Sequence, residues 1–161
     1  MVQIDPPRPL GVLTSRRAAK LLEFLEQIPG APENALKLLF PDAAESLKIL
    51  RRAGFIRRCY LPDHEPLFLP AAAGPPGSDK EFTRRVALGW LACWLAARKK
   101  AEIHAGYARV DGQIYALAVW PGELPAEQAF VVSVDGSRAG KRPGFEDRWV
   151  KLETIKKGGG N

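Results

Sequence analysis

The chain has 161 residues, 46% of them apolar and 26% charged, with 4 Trp, 7 Phe and 3 Tyr. That content excludes a disordered chain and fits one domain or two small ones. The longest unbroken apolar run, Val86 to Ala97, spans 12 residues, short of the roughly 20 that cross a membrane, and Met1 to Arg17 lacks the basic-then-apolar pattern of a secretory leader. Lys and Arg number 24 against 18 Asp and Glu, a net charge of +6, which favours an anionic partner, nucleic acid first. Cys59 and Cys93 form no paired spacing and read as two reduced, half-buried thiols of a cytoplasmic protein.

In chain order, Met1 to Leu10, with three prolines, reads as a loose end. Thr14 or Ser15 can cap a first helix by accepting a hydrogen bond from its free N–H groups. Leu21, Leu22, Leu25 and Ile28 then recur at helical spacing until Pro29-Gly30. A second helix is predicted from Pro32 to Phe40, ended by Pro41. Asp42 is placed to cap a third, from Ala43 to about Ala53, with Ala43, Leu47 and Leu50 facing inward and Gly54 as its stop. Phe55 to Leu61 and Leu67 to Leu69 read as a hairpin around the turn Pro62–Pro66. Three helices and a hairpin are the order of a winged helix-turn-helix, here residues 12–72.

In such a unit the second helix of the pair enters the DNA major groove. Ser46 and Lys48 on the third helix are therefore candidate donors to bases or phosphates. Arg51, Arg52, Arg57 and Arg58 gather around the helix end and the first hairpin strand, and Arg16 and Arg17 add charge on the first helix. Guanidinium groups suit phosphate because their donor fork bonds two oxygens at once. Asp42 and Glu45 oppose this.

Pro70 to Gly77, with three prolines and two glycines, is the main break. After it, Ser78 or Asp79 caps a helix to about Lys100 that is apolar nearly all round, so it is either core or a dimer interface through Trp90 and Trp94. Glu102–Val110 and Gln113–Trp120 read as strands joined by Asp111-Gly112, a strong hairpin signal. The second of them is apolar on both faces, like a central strand covered on both sides. Ala129–Val134 is a third strand. A loop with Arg138, Lys141 and Arg142 follows, and Phe145–Lys156 is predicted as a closing helix. The fold class is therefore α/β (α+β): a winged helix followed by a small helix–three-strand–helix domain at 78–157.

The second half's order resembles the core of the restriction-endonuclease-like nuclease fold. A winged helix followed by such a core is similar to the replication-relaxation family of bacterial plasmids and mobile elements. The residues that carry the likeness are Leu36-Lys-Leu-Leu-Phe40-Pro41, Ser46 through Arg58, Arg109-Val-Asp111 and Phe130-Val-Val-Ser-Val-Asp135, over roughly residues 15 to 137. The resemblance implies a replication accessory or a transcriptional regulator. A metal nuclease of that fold needs an acid on its second strand and an acid, a spacer and a Lys on its third. Here Asp111 stands near the first position, but Ser133 and Asp135 occupy the other two, so the core reads as degenerate. His64, His104 and the two cysteines have no zinc spacing. The sequence thus predicts a DNA-binding protein that is no enzyme, with no catalytic residue, metal or cofactor. Its expected partners are double-stranded DNA and a second copy of the chain, with no membrane. The alternatives are a protein–protein module of the same architecture and, third, a metal-dependent nuclease.

Overall fold

A computed structural model describes residues 1–137 and 148–158. In chain order the elements are β1 (Gln3–Ile4), α1 (Arg16–Leu25), β2 (Ala31–Pro32), α2 (Glu33–Leu36), α3 (Ala43–Arg52), β3 (Ile56–Tyr60), β4 (Leu67–Pro70) and α4 (Asp79–Arg98). They continue as β5 (Glu102–His104), β6 (Tyr107–Val110), β7 (Gln113–Trp120), β8 (Ala129–Ser133), β9 (Trp149–Lys151) and α5 (Leu152–Lys156). The strands make a four-stranded sheet, β1-β3-β4-β2, and a five-stranded sheet, β5-β6-β7-β8-β9. The chain is mixed α and β, as its patterning predicts.

The first half follows local rules closely. Ser15 caps α1, its Oγ accepting from the Ala18 N–H at 3.2 Å. Gly54, at φ +80°, ends α3 in the left-handed conformation that a Cβ disfavours. The second helix is shorter than its pattern suggests. Ala31 and Pro32 pair with Phe68 and Leu67 of β4, so helix starts only at Glu33 and is over by Leu36. Asp42 does not cap α3 with its side chain; its carboxylate instead takes Arg17 Nη1 at 2.8 Å. The first residues are not loose. Gln3 and Ile4 pair with Tyr60 and Cys59 as an edge strand, and the Gly11 N–H donates to the Ala53 carbonyl at 2.8 Å.

In the second half the Asp111-Gly112 turn forms as expected, with φ of +49° and +78°. The single strand expected over Glu102–Val110 is instead a hairpin. Ala105 and Gly106, at φ +50° and +82°, make a second two-residue turn. Gln27 of the first half fixes it, accepting from the Ala105 N–H at its side chain, 3.0 Å, and from the Gly106 N–H at its carbonyl, 2.8 Å. The pairs β5–β6 and β6–β7 are antiparallel, while β7–β8 and β8–β9 are parallel. A parallel connection ordinarily needs about a dozen residues. Residues 121–128 suffice because the strands overlap only from Ala116 opposite Ala129 to Trp120 opposite Ser133. The expected closing helix is also different: Trp149–Lys151 is strand, and helix begins at Leu152. Arg138, Lys141, Arg142 and Phe145 lie outside the described residues.

The long helix decides the packing. α4 buries ten residues, from Phe82 to Leu95. It packs on β2, α2 and β4 of the first half and on β5, β7, β8 and α5 of the second. Trp90, expected at a dimer interface, is 4% exposed within this core, and its indole N–H donates to Glu65 at 3.1 Å; Trp94 is partly buried against the same core. The helix is apolar all round because the chain's own two sheets flank it. One hydrophobic cluster therefore runs from Ala18 to Ile155 across the Pro70–Gly77 loop. Apolar residues of the five-stranded sheet alternate between its two faces, but β7, expected to be covered on both sides, is buried only at Ala118 and Val119. Tyr115, Leu117, Val119, Phe130 and Val132 belong to the main core, and Ala116, Ala118, Trp120, Ala129, Val131 and Trp149 form a smaller cluster on the opposite face.

Two outcomes are expected. Gly89→Ala should lower stability by about 1–3 kcal/mol, because an added Cβ would lie 2.6 Å from the Gly30 carbonyl oxygen and 2.7 Å from Ala31 Cα; an unchanged denaturation midpoint in urea would contradict this. Both thiols are fully buried, and burial pushes Cys59 up to about 11 and Cys93 further. Neither should react with a thiol reagent at mildly alkaline pH until the chain unfolds, and rapid stoichiometric labelling of the native protein would refute it.

Candidate nucleic-acid interface

α3 presents two faces. Ala43, Ser46, Leu47 and Leu50 are buried, and the helix packs on α1, α2 and β3. Ser46 was expected to reach bases, but it is 3% exposed. It lies three residues after Ala43 and four before Leu50, so it shares their inward face. The outward face carries Ala44, Lys48 and Arg52 at four-residue spacing, with Glu45 beside them. Among the described residues Lys48 and Arg52 form no ion pair. On α1, Arg16 and Lys20 are exposed one turn apart, while Arg17 is held by Asp42 at the start of α3.

Arg51 and Arg58 do come together, but around a carboxylate of the chain itself, and Arg57 bonds the backbone of the same residue. Arg51 Nη2 is 3.1 Å from Asp5 Oδ2, and Arg58 Nε lies 3.6 Å from the same oxygen. Arg57 Nε donates to the Asp5 backbone carbonyl at 2.9 Å, and the Asp5 N–H donates to the Arg58 carbonyl at 2.9 Å. The Arg58 guanidinium stacks 4.5 Å above the Tyr60 ring. Burial raises the Tyr60 phenol, with the Arg58 charge working against the rise. The charge pattern of the sequence does not single out Asp5. A signal for it exists: Val2 and Ile4 alternate with polar residues, as in an edge strand, just before Asp5-Pro6-Pro7.

The hairpin turn adds no cation to this face. His64 Nδ1 lies 2.8 Å from the Pro62 carbonyl, and its ring meets Phe82 of α4 edge-on at 6.1 Å. Glu65 takes the Trp90 indole and pairs with Lys156 of α5 at 3.5 Å. A cavity of about 300 Å³ lies between this turn, α4 and residues 119–123, lined by His64, Lys80, Val119 and Leu152 among others. Two of its charges are already engaged, Arg84 with Glu123 at 3.3 Å and Lys156 with Glu65.

The acids weighed for metal chemistry do not meet. Asp111 precedes β7 at the end opposite Trp120, whereas Asp135 follows β8 beyond Ser133, the partner of Trp120. The length of β7 separates them, about 23 Å at 3.3 Å per residue. Asp135 closes a turn: its Oδ1 accepts from the Ser137 N–H at 2.8 Å and from the Ser137 hydroxyl at 2.6 Å. Those bonds hold its carboxyl below its ordinary value of 3.8. A depressed carboxylate stabilises the fold above its unfolded value and ceases to do so as pH falls through the folded one. Protection of the Ser137 amide from hydrogen exchange should therefore drop as pH falls below about 3.8, and this pH step should vanish in Asp135→Asn. A step of equal size in that variant would show another group to be responsible. In comparisons with known proteins, no family model, no curated protein and no solved structure matches this chain.

Proposed function

We propose that the chain binds duplex DNA through α3, in the manner of a winged helix. The observation that carries this reading is the exposed pair Lys48 and Arg52, one turn apart on α3 and free of ion pairs among the described residues, with Arg16 and Lys20 exposed on the adjoining helix. Support comes also from the element order. α1, α2 and α3 precede the hairpin β3–β4, and β2, between the first two helices, pairs with β4. Contacts are to phosphates more than to bases, since Ser46 is turned inward and the outward residues are Ala44, Glu45, Lys48 and Arg52. The hairpin turn, docked on α4 and carrying Asp63 and Glu65, takes no part. The resemblance noted above extends this reading to replication or transcription control on a plasmid or mobile element.

A protein-binding module is the second reading. It is favoured by Leu10 and Val12, 71% and 85% exposed beside the end of α3, where Gly11 bonds to Ala53. The readings separate in a fluorescence anisotropy titration of a short labelled duplex at several salt concentrations. Each phosphate contact contributes about 0.9 to the salt slope. Lys48→Gln combined with Arg52→Gln should therefore weaken binding and flatten the slope by about two. Equal affinity and slope in the folded double variant, or no binding by the parent protein, would remove DNA contact at α3.

A further inference from the structure

Arg51 and Arg58 together hold more positive charge than the one carboxylate between them neutralises. We propose that these two arginines form a binding site for a backbone phosphate of nucleic acid, and that Asp5 occupies it as a built-in stand-in. The proposal rests on the duplex-binding reading above and extends it from α3 to the neighbouring strand.

The fit of Asp5 is incomplete. A single oxygen, Oδ2, faces both Arg51 at 3.1 Å and Arg58 at 3.6 Å. The longer distance is beyond hydrogen-bonding range. Arg58 Nε is buried and has no hydrogen-bond acceptor among the described residues. An unmet buried donor carries a desolvation cost that a better-placed acceptor would relieve. Arg57, the next residue along β3 and therefore on the opposite face of the strand, donates instead to the Asp5 backbone carbonyl. A phosphate presents oxygens in tetrahedral directions, so one group can accept from Arg51 and Arg58 together. Guanidinium forks favour this geometry over a point contact. The Tyr60 ring beneath Arg58 holds that guanidinium in place whichever anion is present.

The segment that supplies Asp5 is an edge strand with a short ladder. β1 contributes two ladder positions, Asp5 adds its own backbone bonds to Arg58 and Arg57, and the Gly11–Ala53 bond is the next tie. Between them Pro6, Pro7 and Pro9 have no N–H to donate. The segment lies directly over the end of α3: a Cβ at Gly54 would sit 2.6 Å from the Pro9 carbonyl oxygen and 2.8 Å from that of Arg8. Lifting it would therefore uncover Arg51 and Arg58 beside Arg52, making one continuous basic strip with Lys48. The phosphate and Asp5 compete for the same donors, so the wild-type protein binds duplex more weakly than its arginine content implies.

The test is anisotropy with a short labelled duplex, run on Asp5→Asn and Asp5→Ser, each checked for folding by its thermal melt. Both variants should bind about tenfold tighter than wild type at low salt, with a salt slope steeper by one to two. Adding Arg51→Gln and Arg58→Gln to either should return affinity and slope to the wild-type values. Wild-type affinity and slope in both folded Asp5 variants would overturn the inference; if Lys48→Gln with Arg52→Gln still weakens binding, the reading of α3 stands without it. Absence of duplex binding in every protein would overturn both. A second arm titrates inorganic phosphate while following the Arg58 Nε–H signal by NMR. Movement in Asp5→Asn and not in wild type supports the site. Movement there without any change in duplex affinity would assign it to free phosphate and overturn the nucleic-acid assignment.

Discussion

At Gly89 the backbone of α4 crosses the Gly30–Ala31 corner so closely that a Cβ would fall 2.6 Å from a carbonyl oxygen. A helix can approach backbone at that distance only where it lacks a side chain. The contact sets how deep α4 lies, and that depth brings its other faces against both sheets. Phe82, Leu91 and Leu95 are then fully buried, each stabilising the fold by about 1.5–3 kcal/mol through removal of apolar surface from water. The corner itself is fixed by Gly30 at φ +136° and by Ala31 and Pro32 pairing with β4. The two halves of the chain are therefore not beads on a linker, since the same helix supplies the wall of both.

Polar side chains reinforce that union where the apolar contact ends. Gln27 reaches from the end of α1 to both N–H groups of the Ala105-Gly106 turn. Glu65 reaches from the hairpin to Trp90 and Lys156. Glu123 joins the crossover loop to the Val119 N–H at 2.7 Å and to Arg84 of α4. Glu65 and Glu123 satisfy partly buried donors, where an unmet group is costly, and Gln27 ties down an exposed turn. This explains why the hairpin turn is docked on α4 and not extended into solvent.

Electrostatics divide the basic surface in two. On the outward stripe of α3, Lys48 and Arg52 are left without counter-ions among the described residues. Beside Arg52, Arg51 and Arg58 of β3 are screened by Asp5, a residue 46 positions away from Arg51 in the chain. The net charge of +6 therefore overstates what an approaching polyanion would meet at this face. Half-buried pairs like Arg51–Asp5, at 26% and 27% side-chain exposure, are less screened by salt than fully exposed ones.

Local chemistry was readable from the sequence wherever a single residue type decides the backbone. Ser15 and Ser78 as caps, Gly54 as the end of α3 and the Asp111-Gly112 turn each need only their nearest neighbours. The helical stripes of α1 and α3 and the two-faced apolar pattern of β7 were legible for the same reason. The short α2, the split into β5 and β6, and the strand at Trp149 were not. There a pairing partner distant in sequence overrides local pattern, as Phe68 does for Ala31, Gln27 for Ala105 and Val131 for Trp149. The candidate site divides likewise. Its arginines could be named from composition and spacing, because charge is a property of the residue. Which of them are free, and that Ser46 faces inward, depends on what a folded chain brings alongside, and Asp5 reaches Arg51 only once β1 has paired with β3.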